Sequence, residues 1–305
     1  MKFFLLIFSF YAILFAMTSS YRLLPTSYTT TRFMNINILD TKELHLYTKY
    51  GHQIDELSGI ELCRDGLYVL SDKGSLYRFH LILHNNKIKK LELLESFLLR
   101  DKNGKVLKGK QRDSEGLRKY YNHLLISFER DERIVEYSKS GIALHQIKLN
   151  KHLRDSSAFQ GENKGLESVV YSRKYGIITA PEEPLKLSKQ KYHTLYAKNQ
   201  HWKFRAKGSI TSIESIDDET LLVLFRKYSF FGNRFTSLVR VHLDRCNKKR
   251  VCQSELLAKL DSIKGWHIDN FEGLCKVGKN RYLMISDDNG SLFQKTLLVL
   301  FEIMN

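Results

Sequence analysis

Phe271-Glu272-Gly273-Leu274-Cys275-Lys276 and Arg281-Tyr282-Leu283-Met284-Ile285-Ser286-Asp287-Asp288 flank the turn residues Gly278-Lys279-Asn280, and this stretch decides the fold. Each flank is short, aliphatic or aromatic and β-prone, and Gly-Lys-Asn is turn chemistry. The stretch reads as a hairpin that opens on a small residue followed by an aliphatic one and closes on carboxylates. Four more segments open in the same way: Leu57-Ser58-Gly59-Ile60, Ser114-Glu115-Gly116-Leu117, Asn163-Lys164-Gly165-Leu166 and Ile210-Thr211-Ser212-Ile213. Their second strands are expected at 67–71, 123–128, 176–180 and 220–225, after turns at Asp65-Gly66, Tyr121-Asn122, Lys174-Tyr175-Gly176 and Asp217-Asp218.

The spacing is regular. Thirteen residues separate Gly59 from Asp72 and Gly116 from Glu129, and fourteen separate Ser212 from Arg226 and Gly273 from Asp287. Gly165 to Glu182 takes seventeen, which implies an insertion or bulge in the third unit. Successive units start 57, 49, 47 and 61 residues apart, room for about four short strands each and close to propeller blade lengths. Later strands are expected at 75–83, 133–137, 193–197, 237–243 and 296–303. The last unit has room for three, while residues 43–47 alternate polar and apolar. An all-β propeller of five blades, its ring closed by that N-terminal strand, follows. A sixth blade from the N-terminal region and an open sandwich remain as alternatives. Helices at 91–99 and 254–260 would supply no core.

The first twenty residues hold Lys2, an apolar run from 3 to 17 and the small polar residues Thr18, Ser19 and Ser20. That is a secretory signal layout, too short to span a bilayer; an uncleaved anchor is the alternative. The rest, 21–305, is expected to be one domain, periplasmic or secreted, monomeric and without a membrane span. The formal charge of +16 raises nucleic acid as a partner. No nucleic-acid motif accompanies it and export argues against it, so a solvated basic surface is expected. Cys246 and Cys252 flank a basic loop at a spacing suited to a small disulfide ring or to two free thiols. Cys63 and Cys275 occupy like-facing repeat positions and read as core.

Antiparallel neighbours bring strand starts and strand ends to one face. Glu115 and Glu272 from starts, and Asp72, Glu129, Glu182, Glu183, Asp287 and Asp288 from ends, would line one mouth of the channel, with Arg226 in the equivalent place of the fourth unit. Crowded carboxylates are relieved by protonation, by bases or by a hard cation such as calcium. The competing reading is that they cap strands and pair with Arg226 or Arg130. No Gly-x-Ser-x-Gly elbow occurs, Ser71, Ser127 and Ser286 sit within strands, and His193, His201 and His267 lack metal-ligand spacing. The catalytic residues are left unassigned.

Leu57-Ser58-Gly59, Asp113-Ser114-Glu115-Gly116-Leu117, Ser127-Phe128-Glu129, Lys164-Gly165-Leu166-Glu167, Asn270-Phe271-Glu272-Gly273-Leu274 and Ser286-Asp287-Asp288-Asn289, with Gln294-Lys295-Thr296, resemble the phytase-like family with esterase-like activity. The resemblance runs from about Leu57 to Ile303. It departs at Phe225-Arg226, where members usually carry Glu-Arg, and in the short segment Gly290-Ser291-Leu292-Phe293. It implies an exported propeller with hydrolytic activity on esters or phosphate esters, and it adds Glu167 and Asn289 to the mouth. On that reading Asp72, Glu129, Asp287 and Asp288 are cation ligands and Arg226 holds an anionic small-molecule substrate. The rival is a non-catalytic propeller that binds a ligand or envelope protein.

Overall fold

The computed structural model describes residues 17–228 and 233–304. Most of the expected signal segment, 1–16, lies outside the described residues. The described chain starts with β1 (Met17–Ser20), β2 (Arg32–Phe33) and β3 (Ile36–His45). Four antiparallel sheets follow, each running from the centre outwards in chain order. The first holds β4 (Leu57–Cys63), β5 (Gly66–Ser71), β6 (Ser75–His84) and β7 (Lys87–Leu98), and the second β8 (Ser114–Tyr120), β9 (His123–Phe128), β10 (Arg133–Tyr137) and β11 (Ala143–Ile147). The third holds β12 (Leu166–Ser172), β13 (Gly176–Pro181), β14 (His193–Ala197) and β15 (His201–Phe204), and the fourth β16 (Ser209–Ser215), β17 (Thr220–Tyr228), β18 (Arg234–Cys246) and β19 (Cys252–Asp261). Both stretches weighed as helices are strand: all but Leu99 of the first lies in β7 and the whole of the second in β19.

The fifth sheet contains β20 (Asn270–Lys276), β21 (Arg281–Asp287) and β22 (Leu297–Ile303), and β3 supplies its fourth strand. β3 runs antiparallel to β22, from Leu297 opposite Glu43 to Ile303 opposite Ile36. The closing strand is thus longer and earlier than 43–47. Ile36 and Ile38 alternate with Asn37 and bury their side chains in the core, and Tyr47 keeps one isolated bridge to Gln53. β1 and β2 also pair with β3, so the N-terminal region extends the fifth sheet and forms no sixth blade. β4, β8, β12, β16 and β20 pack side by side in that order, and β20 returns to β4, so the fold is a closed five-bladed propeller. Apolar faces of adjoining sheets fill the wedges between blades: Leu76 and Leu117 meet between the first and second, Val170 and Val223 between the third and fourth.

All five inner strands break register near their start. Ser58 in β4, Glu115 and Gly116 in β8, Glu167 in β12, Thr211 in β16 and Glu272 in β20 fall in the irregular step. A bulge inserts an unpaired residue and re-aims its side chain. The small residue beside the bulge is needed because inner strands crowd at the axis: a Cβ on Gly116 would lie 2.5 Å from Ser127 Oγ and 2.8 Å from Ser168 Cα. This also corrects the third unit. Its bulge is at Glu167 with Ser168 as the small residue, and Ser168 to Glu182 spans fourteen residues like its neighbours, so no insertion exists there.

Three residues beyond Glu115 along β8, Arg118 crosses the axis. Its buried guanidinium pairs with Glu61 of β4 at 2.6 Å and with Glu214 of β16, and donates to the carbonyls of Ile213 at 2.7 Å and Leu274 at 3.2 Å. One side chain therefore ties β8 to three other inner strands. Cys246 and Cys252 form a disulfide across the β18–β19 hairpin, and Cys63 and Cys275 are buried thiols, as their repeat positions imply.

Candidate acidic mouth

The bulges place Ser58, Glu115, Glu167, Thr211 and Glu272 around the axis, and the ends of the second strands add Asp72, Glu129, Glu182, Arg226 and Asp287 beside them. The two hydroxyls bind backbone: Ser58 Oγ donates to the Ser114 carbonyl at 2.7 Å and Thr211 Oγ1 to the Phe271 carbonyl at 3.1 Å. Seven carboxyls and one guanidinium remain.

Arg226 serves one side of this ring. It pairs with Glu272, with Glu182 at 3.2 Å and, more loosely, with Glu167 at 3.9 Å, and it donates to Asn270 Oδ1 at 3.2 Å. Lys164 adds a 2.5 Å contact to the other Glu182 oxygen. Both terminal nitrogens of Arg226 are thus occupied by protein acceptors, and a substrate anion would have to displace one to reach it.

On the other side Arg130 pairs with Asp113 at 2.9 Å, as the strand-capping reading expected of Arg130, yet the carboxyls beyond it stay crowded. Glu115 is 8% exposed, and its proton is held well above the usual carboxylate range by burial first, then by Glu167, Glu272, Glu129 and Asp72. Glu129 is pushed up to about 8 by burial, Asp113 and Glu182, against the partial relief of Lys164 and Arg226. Glu167 is raised by burial and then Glu182, against the partial relief of Arg226. Asp72 is pushed up to about 9 by burial and by sharing a hydrogen bond with Glu56, and Asp287 to about 8 by burial and Glu272. Desolvation and like charge act in one direction here.

Two groups of three carboxylates have an oxygen from each member within 4.8 Å of the others: Asp113, Glu115 and Glu129, and Glu129, Glu167 and Glu182. Of the four expected ligands only Glu129 belongs to them. Asp72 faces Glu56 instead, and Asp287 accepts from the backbone of Asn289 at 2.7 Å and from Asn270 at 3.4 Å. Asp288 accepts from the Glu56 and Gly290 amides, each at 3.1 Å, and from Thr296 Oγ1 at 2.9 Å, so it organises the turn. Glu183 takes the Ser209 hydroxyl at 2.5 Å, and Asn289 is an exposed turn residue with φ of 50°. Asp113 was missed although it directly precedes the β8 start, one residue outside the repeat pattern used to find the others.

The strand serines are structural. Ser71 donates to the Asp55 carbonyl at 3.0 Å, Ser127 accepts from the Gly116 amide at 2.9 Å and Ser286 donates to the Lys295 carbonyl at 2.6 Å. His193 is buried beside Phe225, and burial lowers its pKa to about 4. Both carboxylate groups offer oxygen donors alone, which fits a hard divalent cation such as calcium and excludes a thiolate or imidazole site there.

Comparison with solved structures returns propellers. The Myxococcus xanthus glutaminyl cyclase is 10% identical, covering 88% of this chain and 97% of its own, with a TM-score of 0.47. The PQQ-bound aldose sugar dehydrogenase of Streptomyces coelicolor is likewise 10% identical over 88% and 98%, at 0.47. The Cps50 (Swd1) β-propeller domain of Myceliophteria thermophila is 9% identical over 95% and 100%, at 0.39. No curated protein sequence matches the chain. The family described as phytase-like, with esterase-like activity of phytase, matches residues 52–290, which take in every bulge and every carboxylate of the mouth. The chain belongs to the phytase-like family.

Proposed function

We propose that this chain is an exported hydrolase of esters or phosphate esters that works with a divalent cation at its acidic mouth. The observation that carries the reading is Glu115, a buried carboxyl raised by burial and by four acidic neighbours. Asp113, Glu115 and Glu129 are the residues that would hold the cation, and calcium suits their oxygens. A bound divalent cation supplies Lewis-acid polarisation of a carbonyl or phosphoryl oxygen and acidifies a water. Glu167, whose pKa burial and Glu182 raise against the pull of Arg226, belongs to the second group, which shares Glu129 with the first. Arg226 pairs with Glu182 and Glu272 on one side of the mouth, and Arg130 pairs with Asp113 at 2.9 Å on the other, where a bound cation would compete with it.

The non-catalytic reading has its own support: the hydroxyls of Ser71, Ser127 and Ser286 are all committed to backbone and offer no nucleophile. One experiment separates the two. The mature protein is assayed on nitrophenyl phosphate and a short nitrophenyl ester, with calcium or with chelator. Chelator-sensitive turnover that Glu129→Gln abolishes supports the hydrolase. A calcium-dependent rise in Tm without turnover transfers the mouth to ligand binding. If neither appears, both readings fall and the carboxyls are structural.

A further inference from the structure

Away from the mouth, the outer strands of the third and fourth blades gather positive charge on a built scaffold. Lys198, His201 and Lys203 lie along the β14–β15 hairpin, and a separate segment is fastened to it on either side. On one side, buried Asn150 donates to the Ala197 carbonyl at 2.6 Å while its Oδ1 accepts from the His152 amide at 3.1 Å. This pins the short turn Lys151–Leu153 and the exposed Arg154 against the hairpin.

On the other side, the Cys246–Cys252 disulfide closes a tight loop whose tip docks on β15: the Lys203 amide donates to the Arg250 carbonyl at 2.8 Å. Arg250 itself sits at φ 57°, held by its amide's 2.8 Å bond to the Asn247 carbonyl. A left-handed conformation at a non-glycine residue is retained only where its surroundings hold it. Between the three segments lies a cleft of about 530 Å³ whose lining has four Lys or Arg, two His and two Asn, and no carboxylate. Burial first, then Lys203 and Arg250, lower the pKa of His201, in keeping with this convergence of charge.

We propose that this cleft and its rim bind an anionic polysaccharide. The cations match sulfate or carboxylate groups, while Asn199 in the cleft and Tyr192 and Thr194 in the depression beyond β15 provide the amide and hydroxyl partners that sugars use. A Cys246–Cys252 disulfide lasts in an oxidising compartment, and there polyanions are glycans more than nucleic acids. A concave surface also suits a chain better than a flat membrane.

The test is titration calorimetry of the full mature protein with dextran sulfate, neutral dextran, single-stranded DNA and phosphatidylglycerol vesicles. Lys198→Glu with Arg250→Glu is compared with Lys89→Glu and Lys102→Glu, an equal charge change on the first blade and the loop after it. The first pair is expected to weaken dextran sulfate at least tenfold and flatten its salt dependence, the second less than twofold, and neutral dextran is expected not to bind. The milder Lys151→Ala with Lys198→Ala should weaken it severalfold, as should Cys246→Ser with Cys252→Ser. Equal losses in both charge-reversal pairs would reduce the effect to net charge and overturn the proposal. DNA or vesicles bound as tightly as dextran sulfate through the same residues would overturn the assignment to a glycan.

Discussion

Glu115 is a buried carboxyl that four acidic neighbours push up, and its replacement tests what that crowding is for. In Glu115→Gln the repulsion from Glu167, Glu272, Glu129 and Asp72 is lost with the ionisable group. Without cations the variant should melt higher than the parent by about 2–5 °C, while its calcium affinity should fall about tenfold, equivalent to about 1.4 kcal/mol. Differential scanning fluorimetry with and without calcium reads both effects. Arg118 is the opposite case, a single base holding Glu61 and Glu214 in the interior. Arg118→Met keeps the bulk but strands two buried carboxyls, and urea unfolding should show a loss of about 3–5 kcal/mol. Glu115 was legible in the sequence because it lies inside a repeated motif. Arg118, Glu61 and Glu214 were not, because each occurs in one or two blades only and their meeting depends on strands far apart in the chain being wrapped around one axis.

The inner-strand bulge gives the repeated small residue its meaning. Gly116 allows the β8 backbone to approach β12, and Gly116→Ala would force Cβ into the Ser127 hydroxyl and the Ser168 backbone. A cost of about 1–3 kcal/mol is expected, with a matching fall in calcium affinity because Glu115 is displaced with the bulge. Hairpins were read well from local chemistry: β9, β10 and β14 match the expected bounds, since short apolar runs between turn residues leave little choice. The third blade's start was misplaced by three residues. Gly165 mimics the motif, yet its smallness answers another need, since a Cβ there would lie 2.1 Å from the Glu129 carbonyl. The four expected ligands were chosen as strand-end carboxylates. Asp72, Asp287 and Asp288 proved to have local partners that a repeat pattern does not display.

For the molecule as a whole, the mouth sets a pH dependence. Asp72, Glu129 and Asp287 titrate near 9, 8 and 8 in the folded chain, against about 4 when unfolded. Raised carboxyls bind protons more tightly when folded, so their contribution is complete below about pH 4 and declines until the folded values are passed. Cation-free protein should therefore lose Tm as pH rises from about 4 to about 9, and calcium should restore more of it at pH 9 than at pH 6, where protons compete for the same oxygens. A flat profile in chelator would mean that the carboxyls are relieved by other means. The strand β3 has a different consequence. Its partner β22 lies more than 250 positions later in the chain, so the earliest described blade strand to be synthesised waits for its blade neighbour, with only β1 and β2 to pair with, until the last strand has emerged. Assembly of the fifth blade should be slow and late, giving a refolding phase that deletion of 36–45 removes along with the native state, and any transport across a membrane before that moment would meet an open, unlatched chain.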